Sequence, residues 1–368
     1  MKKPVISLVS HFSDLPDPRI DRKKLHKLTD ILCITICAVI CGAQHWTQIE
    51  EFGKAKERWF RTFLDLENGI PSHDTFGTVF AALDPEAFAI CFIRWVESLA
   101  TKTAKDVISF DGKALKKSFD RASSKAAIHM VSAFSSANNL VLGQLKVDDK
   151  SNEITAVPKL LELLVLEGCI VTADALNCQK SIVAKVVERG ADYVLALKEN
   201  HPNLYADVEL YFQTHRDRCL SSDAMVEKGH GRIETRRYWM ETKIDWLSQK
   251  KDWRNLKAIG VVESCRELNG EKSKELRYYL LSLDNIEDFS RAVREHWHVE
   301  NKLHWSLDVT FREDDSRVRT GYASENLSTI RRIALNLLKQ EKTLKGGIET
   351  KRLKAGWDHD YLLRVLQF

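Results

Sequence analysis

Val107-Ile108-Ser109-Phe110-Asp111-Gly112 is a short apolar run that closes on a carboxylate and a glycine, the pattern of a buried strand stopping at a turn. Two further strand-like runs follow at 127–134 and 140–147, and Ala137-Asn138-Asn139 between them supplies a hairpin turn. Beyond these the spacing predicts an amphipathic helix over about 153–167, a strand over 169–173, a helix over 179–189 closed by Gly190, and a strand over 193–197. The order is β-β-β-α-β-α-β. Three strands in series and then alternating helix and strand predict a mixed sheet, a meander on one side and right-handed parallel crossovers on the other.

That order is the ribonuclease-H-like one, so the fold class is α/β. Upstream, residues 25–100 read as helix. Leu25, Leu28, Leu32 and Ile36 recur at helical spacing, a shorter helix starts near Ser72, and Asp84-Pro85 is an N-cap followed by proline at the first helical position. The segment 1–104 is therefore expected as an all-α N-terminal domain. The helices meeting near Leu83 suit either a helix-turn-helix or two packed core helices. Downstream, residues 203–284 read as a helix and then strands (235–240, 256–262, 276–283), a strand-rich insertion within a catalytic domain spanning 105–368. A helical tail over about 286–306 and 326–342 completes it.

Composition narrows the class without naming a function. With 368 residues the chain is long enough for two units, and 44% hydrophobic against 29% charged residues describes a folded globular protein. The net charge of +4 does not announce nucleic acid by itself, so such an argument rests on where the charge sits. Eight scattered cysteines without a C-x-x-C pair read as reduced thiols of the cytoplasm, and the apolar run 31–43 is too short for a membrane span of about 18 residues. No membrane partner is expected.

Two carboxylates stand where secondary structure makes them informative, Asp111 at the end of the first strand and Asp174 at the end of the strand after the first crossover helix. Neighbouring parallel strands lie about 4.8 Å apart, so side chains at matching ends can share a cation. Taken singly, Asp111-Gly112 is as well a turn and Asp174 a helix cap. A hard divalent cation needs a further oxygen ligand. The densest source is the stretch 294–305, where His296, Glu300 and His304 fall at i, i+4 and i+8 on one helix face. The same spacing would suit Zn²⁺, although an aspartate pair favours Mg²⁺.

Phe110-Asp111-Gly112-Lys113, Thr172-Ala173-Asp174-Ala175, Ala196-Leu197-Lys198-Glu199-Asn200, the run from Gly229 through His230 to Arg236, and the run from His296 to Trp305 followed by Leu307-Asp308-Val309-Thr310-Phe311 resemble the DDE transposases of bacterial insertion sequences. The group is that of the H-repeat-associated proteins, and the likeness runs nearly the whole chain, from Phe12-Ser13-Asp14-Leu15-Pro16-Asp17-Pro18-Arg19 onward. It implies Asp111, Asp174 and Glu300 as catalytic and metal-binding residues for two Mg²⁺ (or Mn²⁺) ions. It further implies Lys113, Lys198, His230, Arg232, Arg236, Arg237, His296, Asn301 and His304 as DNA-binding residues. Double-stranded DNA, as terminal inverted repeats and target, is the implied partner, with a homodimer or higher oligomer assembled on it. One departure stands out. The broader group with a strand-rich insertion carries Tyr, Arg, Glu and Lys around the third acid, and here those positions are Val293, His296, Glu300 and Leu307.

Two cations about 3.5–4 Å apart can activate a water or a DNA 3′-hydroxyl on one side of a phosphodiester and stabilise the leaving oxygen on the other, so one site both cuts and joins. Basic clusters at Lys113, Lys116, Lys117, Arg121 and Lys125, at Arg232, Arg236 and Arg237, and at Lys339, Lys342, Lys345, Lys351, Arg352 and Lys354 are expected to meet phosphates. Arg232, Glu234 and Arg236 should share one strand face and Arg237 the other. The alternatives are an inactive transposase descendant that only binds DNA and a metal-dependent nuclease of the same fold.

Overall fold

Apolar alternation gathers ten strands into one sheet in the computed structural model, which describes residues 7–119, 126–147, 153–229, 232–268 and 270–366. The N-terminal segment is helical: α1 (Ser7–Ser10), α2 (Leu28–Ile40), α3 (Trp46–Phe60), α4 (His73–Ala82) and α5 (Pro85–Leu99). Its caps are those the sequence announces. Ser72 Oγ accepts from the Thr75 N–H, and Asp84 accepts from the N–H groups of Glu86 and Ala87 ahead of Pro85. The meander is β1 (Val107–Leu115), β2 (Ile128–Ser135) and β3 (Leu140–Val147); the alternating half is α6 (Glu153–Leu163), β4 (Ile170–Ala173), α7 (Lys180–Glu188) and β5 (Asp192–Leu197). Then come α8 (Pro202–His215), β6 (Leu220–Ser221), β7 (Met225–Gly229), β8 (Arg232–Glu241), β9 (Ala258–Leu268) and β10 (Glu271–Leu281), followed by α9 (Ile286–His296), α10 (Ala323–Gln340), α11 (Ile348–Trp357) and α12 (His359–Leu366).

The strand order is β3-β2-β1-β4-β5-β10-β9-β8-β6, with β7 also on β8. Pairing is parallel between β1 and β4 and between β4 and β5, and antiparallel elsewhere. The insertion therefore extends the sheet through β10 on β5. Two expectations are corrected. β1 does not stop at Asp111-Gly112, because β2 keeps pairing with it as far as Leu115. The helix expected over 286–306 is α-helical only to His296, after which Val299–His304 and Ser306–Thr310 widen into π-helical turns.

Both faces of the sheet are covered. Phe110, Val171, Ala173, Tyr193 and Leu195 pack with α6, α7 and α8, whereas Val107, Ile170, Val194 and Tyr279 face α9. Gly260 lets α9 approach this closely, since a Cβ there would lie 2.6 Å from the Phe289 ring. By strand alternation Ser109, Asp111 and Lys113 share the α9 face of β1, and Thr172 shares that face of β4.

The N-terminal helices do not keep a core to themselves. Residues of α2, α4 and α5 join α10, α11 and α12 in one apolar cluster, and Asn326 of α10 donates to the carbonyls of Phe80 and Leu83 at the α4–α5 corner. That corner bends by 92°. α5 buries Phe88, Phe92, Trp95 and Val96 and exposes Glu86, Ile90, Arg94 and Glu97, a face with more acid than base. On its buried side it packs as a core helix. Ahead of α2, Arg19, Lys24 and Lys27 are ion-paired with Asp17, Asp21 and Asp65.

α10 carries a buried cation with no hydrogen-bond partner for its Nζ, Lys339, set 4.6 Å from the Phe134 ring centre. Burial, with Lys302 and Lys342 nearby, lowers its pKa from 10.5 to about 7. The aromatic face offsets part of that penalty. Between about pH 7 and 10.5 the unfolded chain then holds the extra proton, so this group makes stability rise with pH across that window, by at most about 1.4 kcal/mol per unit. Urea unfolding of the Lys339→Met protein is expected to lose that slope and to show a higher midpoint than the unaltered protein at pH 7.

Candidate active site

The parallel ladder of β1 and β4 ends at the pair Phe110 and Ala173, and the next residue on each chain is a carboxylate, Asp111 and Asp174. Asp174 also caps the short turn Ala175–Asn177, its Oδ1 accepting from the Asn177 backbone N–H (3.2 Å) and side-chain amide (2.9 Å). Glu300 enters from the opposite layer as an exposed residue of the first π-helical turn. All three line one cleft of about 240 Å³, together with Thr172, Lys198, Arg277, His296 and Trp297. Their donor chemistry, oxygen only, fits a hard divalent cation. Among the described residues no three His, Cys, Asp or Glu side chains are close enough to hold an ion as they stand, so the acids share a cleft without yet closing on one point.

His296 and His304 flank Glu300 and are turned inward. His296 Nδ1 lies 3.0 Å from Thr172 Oγ1, whose hydroxyl donates to Ser109 Oγ at 3.1 Å. Burial, reinforced by Arg277, lowers the His296 pKa to about 4 against the pull of Asp174. His304 Nδ1 lies 3.3 Å from Asp111 Oδ2. Burial, with Arg332 and Lys113 near, lowers its pKa to about 4 as well, so near pH 7 both rings are neutral and the His304–Asp111 contact is a polar one without an imidazolium charge. Both residues are half-buried, and His296 lines the cleft.

Lys113 is also turned inward. It is buried, with Nζ 2.6 Å from Asp308 and 2.6 Å from Asp314. Beside it Glu313 and Arg332, both fully enclosed, pair at 2.9 Å. Lys116 and Lys117 are likewise paired, with Asp314 and Asp315, and Arg121 and Lys125 lie outside the described residues. In the tail, the Lys351 ammonium donates to the carbonyls of Leu338 and Glu341, while Arg352 caps the end of α2 through the carbonyls of Val39 and Ile40. These charges hold the fold together.

A further set of cations lies on the other side of Glu300. A trough of about 460 Å³ continues from the cleft across the inserted strands and is lined by Arg232, Arg236, Arg266, Arg277, Arg294 and Asn301, with Glu227, Glu234 and Glu275 between them. Arg232, Glu234 and Arg236 share one face of β8, and Arg237 is exposed on the other. Glu234 orients Arg236 at 2.6 Å, and Glu227 joins Arg236 (2.8 Å) to Arg294 of α9. Lys198 is exposed at the cleft edge. His230 lies outside the described residues. Sequence reasoning missed Arg277, which stands 5.0 Å over the Trp297 ring and is tied to Glu275 at 2.8 Å. Its position on β10 carries no motif.

Residues 98–337 match the family described as transposase DDE domain, and residues 9–96 match the family described as DDE_Tnp_1-associated. "H repeat-associated putative transposase YhhI" of Escherichia coli K12 is 43% identical over 367 residues, 98% of this chain and 97% of that protein. A protein of Xanthobacter autotrophicus described as uncharacterized, in the dhlA 3′ region, is 48% identical over 274 residues, 74% of this chain and 92% of its own. Among solved structures, a piggyBac transposase synaptic complex with hairpin DNA covers 94% of this chain and 74% of that one, at 12% identity and a TM-score of 0.40, too distant to carry an argument.

Proposed function

The chain belongs to the DDE transposase family, and on that premise we propose that it is a DNA transposase whose Asp111, Asp174 and Glu300 hold two Mg²⁺ or Mn²⁺ ions for cutting and joining DNA at the ends of an insertion sequence. The observation that carries this reading is positional. Asp111 and Asp174 stand at equivalent places, one residue past the last rung of neighbouring parallel strands, and Glu300 faces the cleft they line. The strand order β3-β2-β1-β4-β5 supports a ribonuclease-H-like core. The chemistry such ions supply is activation of a water or 3′-hydroxyl and stabilisation of the leaving oxygen.

The chain's own residues do the rest. Three carboxylates bind, and Arg277, held by Glu275, keeps positive charge beside the cleft. Lys198, Arg232 and Asn301 meet duplex phosphates from the cleft edge and the trough, with the element's terminal repeats and its target as the DNA and a second copy of the chain as partner. The three acids are intact, which favours an active enzyme over a silent DNA-binding descendant. A nuclease without strand transfer would share the same acids and is separated by its product.

Asp111→Asn is expected to abolish strand cleavage in Mg²⁺ while leaving DNA affinity within about twofold, because the amide keeps the shape and loses the charge that binds the cation. Cleavage that persists in the variant, or in excess chelator, refutes the metal site. Joined product alongside cut ends separates a transposase from a nuclease.

Replacing Arg232 and Arg236 together by Gln should weaken binding to all duplex sequences and flatten the plot of log affinity against log salt by about 0.9 for each phosphate that is no longer neutralised. An unchanged slope would assign both arginines to their ion pairs with Glu227 and Glu234 alone.

A further inference from the structure

Glu300 must be held at a working distance from two aspartates that belong to a different layer, and nothing in its exposed side chain achieves that. The fixed points lie four residues to either side. His296 reaches β4 through Thr172, two residues before Asp174, and the Thr172 hydroxyl passes the contact to Ser109 on β1. His304 reaches β1 at Asp111 itself. We propose that His296 and His304 are positioning residues that pin the Glu300 segment to the two aspartate strands and so set the geometry of the three acids. The inference rests on the metal-site reading above.

Hydrogen-bond directions support the roles. His304 Nδ1 stands 3.3 Å from Asp111 Oδ2, a close polar approach, while its Nε2 is enclosed without a hydrogen-bond partner. Thr172 spends its proton on Ser109 and therefore accepts from His296 Nδ1–H. His296 is thus committed to one tautomer and one orientation, and His304 is set with its Nδ1 edge against Asp111.

The backbone supplies the reach. In a continuous α-helix, four residues overshoot a full turn by about 40°, so His296, Glu300 and His304 would drift steadily around the axis. The segment changes to π-helical bonding at Val299, where four residues fall short of a turn, and the drift reverses. His296 and Glu300 then address the cleft, and His304 addresses β1 at Asp111.

The test compares His304→Leu, His304→Asn, His296→Leu and His296→Asn in the full-length protein, measuring Mn²⁺ binding by electron paramagnetic resonance without DNA, and duplex affinity without metal. Asn keeps an N–H at the position of Nδ1 and Leu does not. Each Leu variant should bind Mn²⁺ about 10–100-fold more weakly with duplex affinity unchanged, and each folded Asn variant should recover to within about threefold. Unchanged Mn²⁺ affinity in the Leu variants, or a folded Asn variant as weak as Leu, overturns the proposal. Reduced duplex affinity with Mn²⁺ binding intact would return the histidines to DNA contact. Asp111→Asn is the control: if Mn²⁺ binding survives it, the metal site itself is wrong, whereas loss there with retention in both Leu variants defeats the positioning role alone.

Discussion

Four rungs of parallel pairing, Val107–Phe110 of β1 against Ile170–Ala173 of β4, set everything the site requires. They are held from both faces, by Phe110, Val171 and Ala173 against the α6–α8 layer and by Val107 and Ile170 against α9. A strand displaced by one residue turns every side chain to the other face, so this two-sided burial forbids a slip that would send Asp111 or Asp174 out of the cleft. Carboxylates that are individually costly to bring together are thereby carried to one place by apolar packing far larger than their mutual repulsion. Glu300 follows from the same frame, since the layer carrying it is seated on the sheet through Phe289 and Gly260.

The β-β-β-α-β-α-β order was legible because each element signals locally: apolar alternation, the Asn138-Asn139 turn, the Gly190 closure, and the caps Ser72 and Asp84. Asp174 follows the last residue of its strand, and Asp111 follows an apolar run, which made both stand out. What the sequence hid is long-range. That β1 runs past Asp111-Gly112 depends on a partner strand, and a turn-like dipeptide reads the same whether or not its neighbour keeps pairing. The π-helical turns after Val299 replace a regular helix without any Pro or Gly to announce them.

Charge was the least legible property. Lys113, Lys339, Lys351 and Arg352 look like a phosphate-binding surface in sequence, yet each is buried, and all but Lys339 are satisfied by carboxylates or by helix-end carbonyls. Glu313 and Arg332 make the same point from the acidic side, because removing either would strand the other's charge at a cost of about 3–5 kcal/mol. The trough beside Glu300 keeps its arginines accessible because Glu227, Glu234 and Glu275 hold them from the side. Sequence counts cations, whereas burial decides which of them DNA can reach.

Whether Asp111, Asp174 and Glu300 close on shared divalent cations is decided by anomalous diffraction at the manganese edge, from crystals of the protein grown with duplex DNA and Mn²⁺. The expected result is anomalous density bounded by carboxylate oxygens of all three residues. Manganese bound only elsewhere, or held by the aspartates with Glu300 turned out of the cleft, would disprove the shared site.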